Sequence, residues 1–313
     1  MSTTLRLPGR IETPAAPGPG PLSGNLLRAL ELTVGRRMES LLAGDHRSSL
    51  LGRGTELAQV RPYRPGEDDV RQIDWNVTAR MFEPHVRVQL AERLLVTWVV
   101  LDVSPSMGFG TAERRKTDVA EGAALALAYA ATRRGNRLGV ITFGDGDLRA
   151  LPPRQGRAGM LALLLALRRE EPADADVGST SLGQVLARTA RLARQRALVA
   201  IVSDFRGPRD WRRPLLDVLG RHDVLAIEVR DPREQELPRM GELWLVDPET
   251  GRQLRVDTSS ARLRERFASA AATERADLAH TFAALGVPHV MLSTSSDWLR
   301  LLADFLRLRR KRR

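Results

Sequence analysis

The chain has 313 residues, no cysteine, 42% hydrophobic content and a formal net charge of +11. Disulfides, thiolate metal sites and a cysteine nucleophile are excluded, while the apolar content suffices for one large packed domain or two modest ones. The positive charge is arginine spread among Glu and Asp, dense only at 307–313, and aromatics make up 4%. Neither a phosphate-tracking stripe nor a base-stacking platform is legible, so nucleic acid is not expected as the main partner.

Residues 1–24 are rich in Pro, Gly and Ala without periodicity and are expected to be a disordered arm. No apolar signal core precedes the rest, and no run approaches the roughly 18–20 apolar residues that span a bilayer, so a cytoplasmic protein is expected. Residues 25–93 form an N-terminal extension. Leu26, Leu27, Leu30, Val34, Met38, Leu41 and Leu42 recur at helical spacing and predict an amphipathic helix over 26–42, followed by a loop region to about Pro84. Within that region Pro65-Gly66 sets a turn, the acids Glu67, Asp68 and Asp69 are placed to pair with Arg71 and Arg80, and Trp75 supplies a large apolar anchor.

From residue 94 the pattern changes. Runs at 94–101, 137–143, 197–202, 224–229 and 289–292 are short and almost continuously apolar, as in strands buried on both faces. Helical stretches at 118–134, 157–169, 182–194, 211–219 and 261–285 alternate with them. The alternation predicts a doubly wound, mostly parallel α/β domain over 94–308, with a basic tail at 309–313. Residues 242–256 read as a hairpin extending the sheet edge. The tail leaves contact with acidic partners or anionic lipid open, and nucleic-acid binding through it is an alternative function.

In an open α/β sheet, ligands gather at the carboxyl ends of the strands. Three such places carry oxygen donors: Asp102-Val103-Ser104-Pro105-Ser106, the helix start Gly178-Ser179-Thr180-Ser181, and Ser203-Asp204. Hard oxygens without histidine or sulfur suit Mg²⁺ or Mn²⁺. Ser104, Ser106 and Thr180 would bind directly and Asp102 and Asp204 directly or through water, leaving a position for an outside carboxylate. Taken singly, Asp102 and Ser106 would cap the next helix and Asp204 close a turn. A hydrolase or phosphatase is the alternative, but its usual companions are missing. There is no Gly-x-Ser-x-Gly elbow, no aspartate two residues after Asp102, no Walker loop and no ligand-like spacing among the five histidines, which read as surface or helix-end residues. Gly108-Phe109-Gly110 hints at a dinucleotide turn, but Glu113 stands where the third glycine would be.

The succession DVSPS, GSTS and VSD resembles the metal-ion-dependent adhesion site of von Willebrand factor A domains. The resemblance implies the doubly wound fold and Asp102, Ser104, Ser106, Thr180 and Asp204 as metal positions. The stretch 63–75 (YRPGEDDVRQIDW), followed by Ala79-Arg80 and by Pro84, Val86, Arg87 and Glu92, is similar to the signature of domain of unknown function fifty-eight. That resemblance implies a MoxR-type AAA+ ATPase as partner and a role in maturing or remodelling client proteins. Asp68, Asp69, Arg71, Asp74, Trp75 and Arg80 are then the residues expected to meet a partner. Many relatives carry N-terminal membrane helices that this sequence lacks.

Overall fold

The computed structural model describes residues 4–6, 18–28, 51–90, 95–132, 135–144, 146, 148–167, 180–247 and 251–308, with backbone alone for 4–6, 51–59 and 87–90. In chain order the elements begin with β1 (Thr4–Arg6), β2 (Leu51–Pro62), α1 (Trp75–Met81), β3 (His85–Leu90), β4 (Val96–Asp102), α2 (Lys116–Thr132), β5 (Arg137–Phe143) and β6 (Arg149–Gln155). They continue with α3 (Gly156–Leu167), α4 (Leu182–Leu192), β7 (Ala197–Ser203), α5 (Arg212–Leu219) and β8 (Asp223–Arg230). The last are β9 (Glu242–Val246), β10 (Gln253–Asp257), α6 (Ala261–Ala284), β11 (His289–Ser293) and α7 (Trp298–Leu308). The chain divides into two compact units, Met1–Met38 with Leu95–Arg313, and Glu39–Leu94.

The larger unit is built on a six-stranded sheet in the order β11-β8-β7-β4-β5-β6. Every pair is parallel except β5 with β6. All seven residues of β4 and of β7 are buried, which is why these strands read as unbroken apolar runs: helices cover both faces. On one face α2 packs beside α3 and α7. On the other, Leu182, Val185 and Leu186 of α4, Leu215 and Val218 of α5, and Leu278 and Phe282 of α6 close over Trp98, Val100, Val199 and Ile201. The doubly wound expectation therefore holds.

The antiparallel edge differs from expectation. β9 and β10 do pair as a hairpin, but they join β1 in a separate three-stranded sheet, β1-β9-β10, and do not extend the main one. Alternation shows that two strands pair; it does not show which sheet receives them. The edge is instead β6, whose Pro152 and Pro153 argue against a strand in sequence. Proline is tolerated there because one side of an edge strand has no ladder to donate to.

Parts of the arm expected to be disordered are held. β1 pairs with β9, Arg114 Nη1 donates to the Gly18 carbonyl at 2.9 Å, and Trp298 Nε1 donates to the Pro19 carbonyl at 3.0 Å. The slot exists because Gly122 has no side chain: a Cβ there would lie 2.5 Å from the Trp298 ring and 2.8 Å from Pro19. Of the helix predicted over 26–42, residues 26–28 are described and belong to a helix that starts at Gly24; the remainder, like the 309–313 tail, lies outside the described residues. Helix α7 was not anticipated, although Trp298, Leu299, Leu302, Ala303 and Leu306 are buried at helical spacing.

The smaller unit replaces an expected loop. β2 and β3 pair antiparallel, from Pro62 opposite His85 onward, with α1 in the connection. Alternation of Val86, Val88 and Leu90 with His85, Arg87 and Gln89 was the available signal. Among the described residues no helix is long and apolar enough to cross a membrane.

Candidate metal centre

The winding of the larger sheet reverses between β4 and β7, which run parallel side by side while the chain leaves β4 toward β5 on one side and β7 toward β8 on the other. Such a switch point opens a crevice at the carboxyl ends of the strands. Asp102 is the last residue of β4 and Ser203 the last of β7. Four of the five predicted metal residues, Asp102, Ser104, Ser106 and Asp204, thus lie at or just beyond the ends of the two strands that frame this crevice.

Their local bonds are specific. Asp102 Oδ1 accepts from the Ser104 amide at 2.9 Å, and Oδ2 accepts from the Ser203 hydroxyl at 2.5 Å. The Ser104 and Ser106 hydroxyls lie 3.0 Å apart. Gly144, with φ +104°, lets the loop after β5 press on Ser104, where a Cβ would come within 2.7 Å. Thr180, the fifth residue, donates to the carbonyl of Gly146 in that same loop at 2.9 Å. Ser181 beside it caps α4, its hydroxyl accepting from the Gln184 amide; Gly178 and Ser179 lie outside the described residues.

Asp204 does close a turn, accepting from the Arg206 amide at 3.1 Å. The next residue, Phe205, sits at φ +54°, a left-handed conformation unfavourable for a bulky side chain. It is held by a hydrogen bond from its amide to Ser203 Oγ at 3.0 Å and by edge-on contacts with Trp211 and Phe282. Neither Asp102 nor Ser106 caps the next helix: the 3₁₀ turn Pro105–Gly108 has Ser104 at its N-cap and Ser106 within it, and α2 begins at Lys116.

The largest omission from the sequence reading is Lys116. Its side chain is 0% exposed, and its ammonium donates to Asp204 Oδ2 and to Glu234 Oε1, each at 2.7 Å. Arg206 Nη1 lies 2.9 Å from the same Glu234 oxygen. Asp231 organises the neighbouring loop, accepting from the Thr111 and Thr294 hydroxyls at 2.6 and 2.7 Å. Burial tends to lower the Lys116 ammonium, but Asp204 and Glu234 hold it above its ordinary value. Burial likewise tends to raise Asp204, yet Lys116, helped by the Arg206 amide and guanidinium, holds it below the usual carboxylate range.

Asp102 has no such relief. Burial and the charge of Asp204 push its carboxyl up to about 6, against the hydrogen bonds from Ser104 and Ser203. It makes no ion pair among the described residues, and a buried uncompensated carboxylate is costly. That deficit, with two hydroxyls alongside, is what a small hard cation would satisfy. Adjacent oxygens on an octahedron of ~2.1 Å bonds lie about 3.0 Å apart, which is the Ser104–Ser106 spacing. The residues therefore fit Mg²⁺ or Mn²⁺, with Asp204 already half engaged elsewhere. Among the described residues no three His, Cys, Asp or Glu side chains converge, so hydroxyls have to supply part of any coordination.

The histidines are not uniformly at the surface. His280 is exposed, but His85 and His222 are buried and His289 is half-buried against Glu228 at 2.8 Å; His46 lies outside the described residues.

In the smaller unit the turn at Pro65-Gly66 forms as expected, but the charge pairing differs. Asp68 takes a two-pronged contact from Arg61, at 2.7 and 2.9 Å, and Glu67 faces Arg64. Asp69 accepts from the Arg71 amide, and Asp74 caps α1 through the Asn76 and Val77 amides. The turn folds the acids back on residues 61–64, away from Arg71 and Arg80, which make no ion pair among the described residues. Trp75 is not an anchor: it is 69% exposed, and Val70 at 58%, Met81 at 62% and Phe82 at 93% are exposed as well.

A doubly wound α/β unit with an oxygen-rich cluster at its switch point, and a separate small β-hairpin unit carrying the signature segment, define the class. The chain belongs to the family described as "Protein of unknown function DUF58", whose model matches residues 59–277. It is 42% identical over 287 residues to "Uncharacterized protein Rv1480" of Mycobacterium tuberculosis (strain ATCC 25618 / H37Rv), covering 91% of this chain and 89% of that one. The same figures hold for "Uncharacterized protein Mb1516" of Mycobacterium bovis. Among solved structures, the conserved hypothetical protein BatB from Bacteroides thetaiotaomicron is similar over 69% of this chain and 99% of its own, at TM-score 0.45 and 14% identity. The SpRpn10 VWA domain is similar over 69% and 95%, at TM-score 0.38 and 13% identity. The fold assignment rests on the strand order itself.

Proposed function

We propose that this protein is a non-enzymatic docking adaptor whose switch-point crevice holds Mg²⁺ or Mn²⁺ and through it a carboxylate of a client protein. The observation that carries this reading is Asp102, a buried carboxylate without a counter-charge beside two hydroxyls at 3.0 Å from one another. Asp102, Ser104 and Ser106 would hold the ion, with Thr180 and Asp204 contributing directly or through water. The ion would supply positive charge for a Glu or Asp from outside, while the chain's own groups fix the donors and keep them dry. Docking is favoured over hydrolysis because Ser104 and Ser106 bond one another, and no histidine reaches Asp102, Ser104 or Asp204 in the bonds described.

The second contact surface in this reading is α1 with its flanks. Asp68, Asp69 and Asp74 are consumed in shaping it, which leaves Arg71, Trp75 and Arg80, joined by Phe82, to meet a partner. Exposed Trp and Arg are the side chains that most often dominate protein interfaces. The family resemblance makes a MoxR-type AAA+ ATPase the partner to try. Thermal unfolding in EDTA and then in rising Mg²⁺ tests the metal reading. At a hundredfold excess over the dissociation constant the ion adds about 2.7 kcal/mol, and Asp102→Ala should abolish the shift. Absence of any shift in the unsubstituted protein, with Mg²⁺ and with Mn²⁺, would overturn it. Loss of ATPase binding in Trp75→Ser with the metal shift intact would assign the two surfaces separately.

A further inference from the structure

The crevice already contains a cation of its own. Lys116 opens α2, is wholly buried, and stands between two acids from different loops, Asp204 after β7 and Glu234 after β8, at equal distances of 2.7 Å. The charge of Asp204 reaches Asp102 and helps push its carboxyl up, and of these two acids it is Asp204 that Lys116 contacts. A divalent ion at Asp102, Ser104 and Ser106 would draw on the charge of Asp204, and the ammonium draws on that same charge.

A lysine serving only as a staple needs one acid. Here a second acid stands on its other side and is itself steadied by Arg206, 2.9 Å away, so Glu234 can take up the ammonium when Asp204 is claimed by another cation. We propose that Lys116 is a built-in competitor of the divalent ion, and that the division of its charge between Asp204 and Glu234 sets the ion affinity of the neighbouring oxygen cluster. Lys116 and Glu234 are positioning residues in this account, not ligands. The inference rests on the metal-binding reading above and adds what tunes it.

The competitor role and the staple role differ in sign. The test is Mn²⁺ binding to the intact chain, read from the electron paramagnetic resonance signal of free Mn²⁺, with melting temperatures recorded in parallel. Lys116→Met frees Asp204 and should tighten Mn²⁺ binding by roughly tenfold or more, since a unit charge a few ångströms away is removed. Glu234→Gln leaves Asp204 as the only acid for Lys116 and should weaken binding by a similar factor. The double variant Lys116→Met/Glu234→Gln keeps the net charge of the cluster while freeing Asp204. It should bind Mn²⁺ more tightly than the unsubstituted protein, and it decides the matter if Lys116→Met alone does not fold.

A double variant that binds no more tightly than the unsubstituted protein, while melting lower, would overturn the competitor role and leave a staple. If the unsubstituted protein binds Mn²⁺ in that case, the metal reading survives. If neither protein binds it, both readings fall together.

Discussion

The carboxyl end of the six-stranded sheet and the α1 segment break the ordinary distribution of residues in opposite directions. At the sheet end, charges are inside: Lys116, Asp204 and Glu234 are buried and satisfy one another. Around α1, apolar groups are outside: Trp75 and Phe82 face solvent while the nearby acids are occupied with backbone amides and arginines. Buried charge is expensive unless paired, and an exposed aromatic pair gains nothing from folding. Each region still stores an unmet preference, for a counter-charge at the neighbouring Asp102 in one and for apolar cover in the other. The difference teaches where stability and recognition reside: the first region should be intolerant of change, the second tolerant until a partner is added.

The largest expected effect tests the intolerance. Lys116→Ala leaves two buried acids facing each other and should cost about 3–5 kcal/mol in urea unfolding; a loss below 1 kcal/mol would mean that the acids are relieved by water. Next, Trp98→Ala should cost about 3–5 kcal/mol, because the indole is 2% exposed, whereas Trp75→Ala should stay within about 0.5 kcal/mol. Equal losses at the two tryptophans would erase the comparison. Asp102→Asn should remove the Mg²⁺-induced shift of about 2.7 kcal/mol without harming the metal-free fold, since it deletes an uncompensated charge.

Smaller still, Phe82→Gly should stabilise by about 0.5–1 kcal/mol, because Phe82 occupies a left-handed position at φ 58° that glycine adopts freely. The smallest effect is one of pH. Burial, then the charges of Arg221 and Arg196, hold the His222 imidazole below its ordinary value of 6.5, and neither ring nitrogen has a hydrogen-bond partner among the described residues. The unfolded chain therefore takes up a proton that the folded chain refuses. The part of the stability that depends on this group should fall as pH drops below about 6.5 and should not change above it, opposite in sign to the contribution of Asp102 in the same window. His222→Leu should flatten that slope between pH 7.5 and 5; an unchanged slope would place its origin elsewhere.

Much of the sheet was legible because β4, β7 and β8 are covered on both faces, so burial writes itself into consecutive residues. β6 was hidden by Pro152-Pro153, whose meaning depends on being at an edge, and β2 and β3 by the charge-rich signature around them. Within the candidate site, Asp102, Ser104 and Ser106 could be read because they are contiguous at a strand end. Lys116 could not: its acids stand 88 and 118 residues away, and only the winding of the sheet brings them to it. The brace around Asp68 was misassigned for a nearer reason. The turn at Gly66 sends the acid back to Arg61, seven residues earlier, although Arg71 is closer along the chain.

The hydrogen bond from the Trp298 indole to the Pro19 carbonyl joins groups 279 residues apart. During synthesis the earlier partner leaves the ribosome long before the later one exists, an interval of roughly 15 to 55 seconds at ordinary elongation rates. Throughout that time the slot at Gly122 lacks its ring, and residues 18–20 have nothing there to hold them. Closing this slot thus waits for the synthesis of Trp298, and a nascent chain halted before that residue would expose to proteases a segment that the folded unit protects.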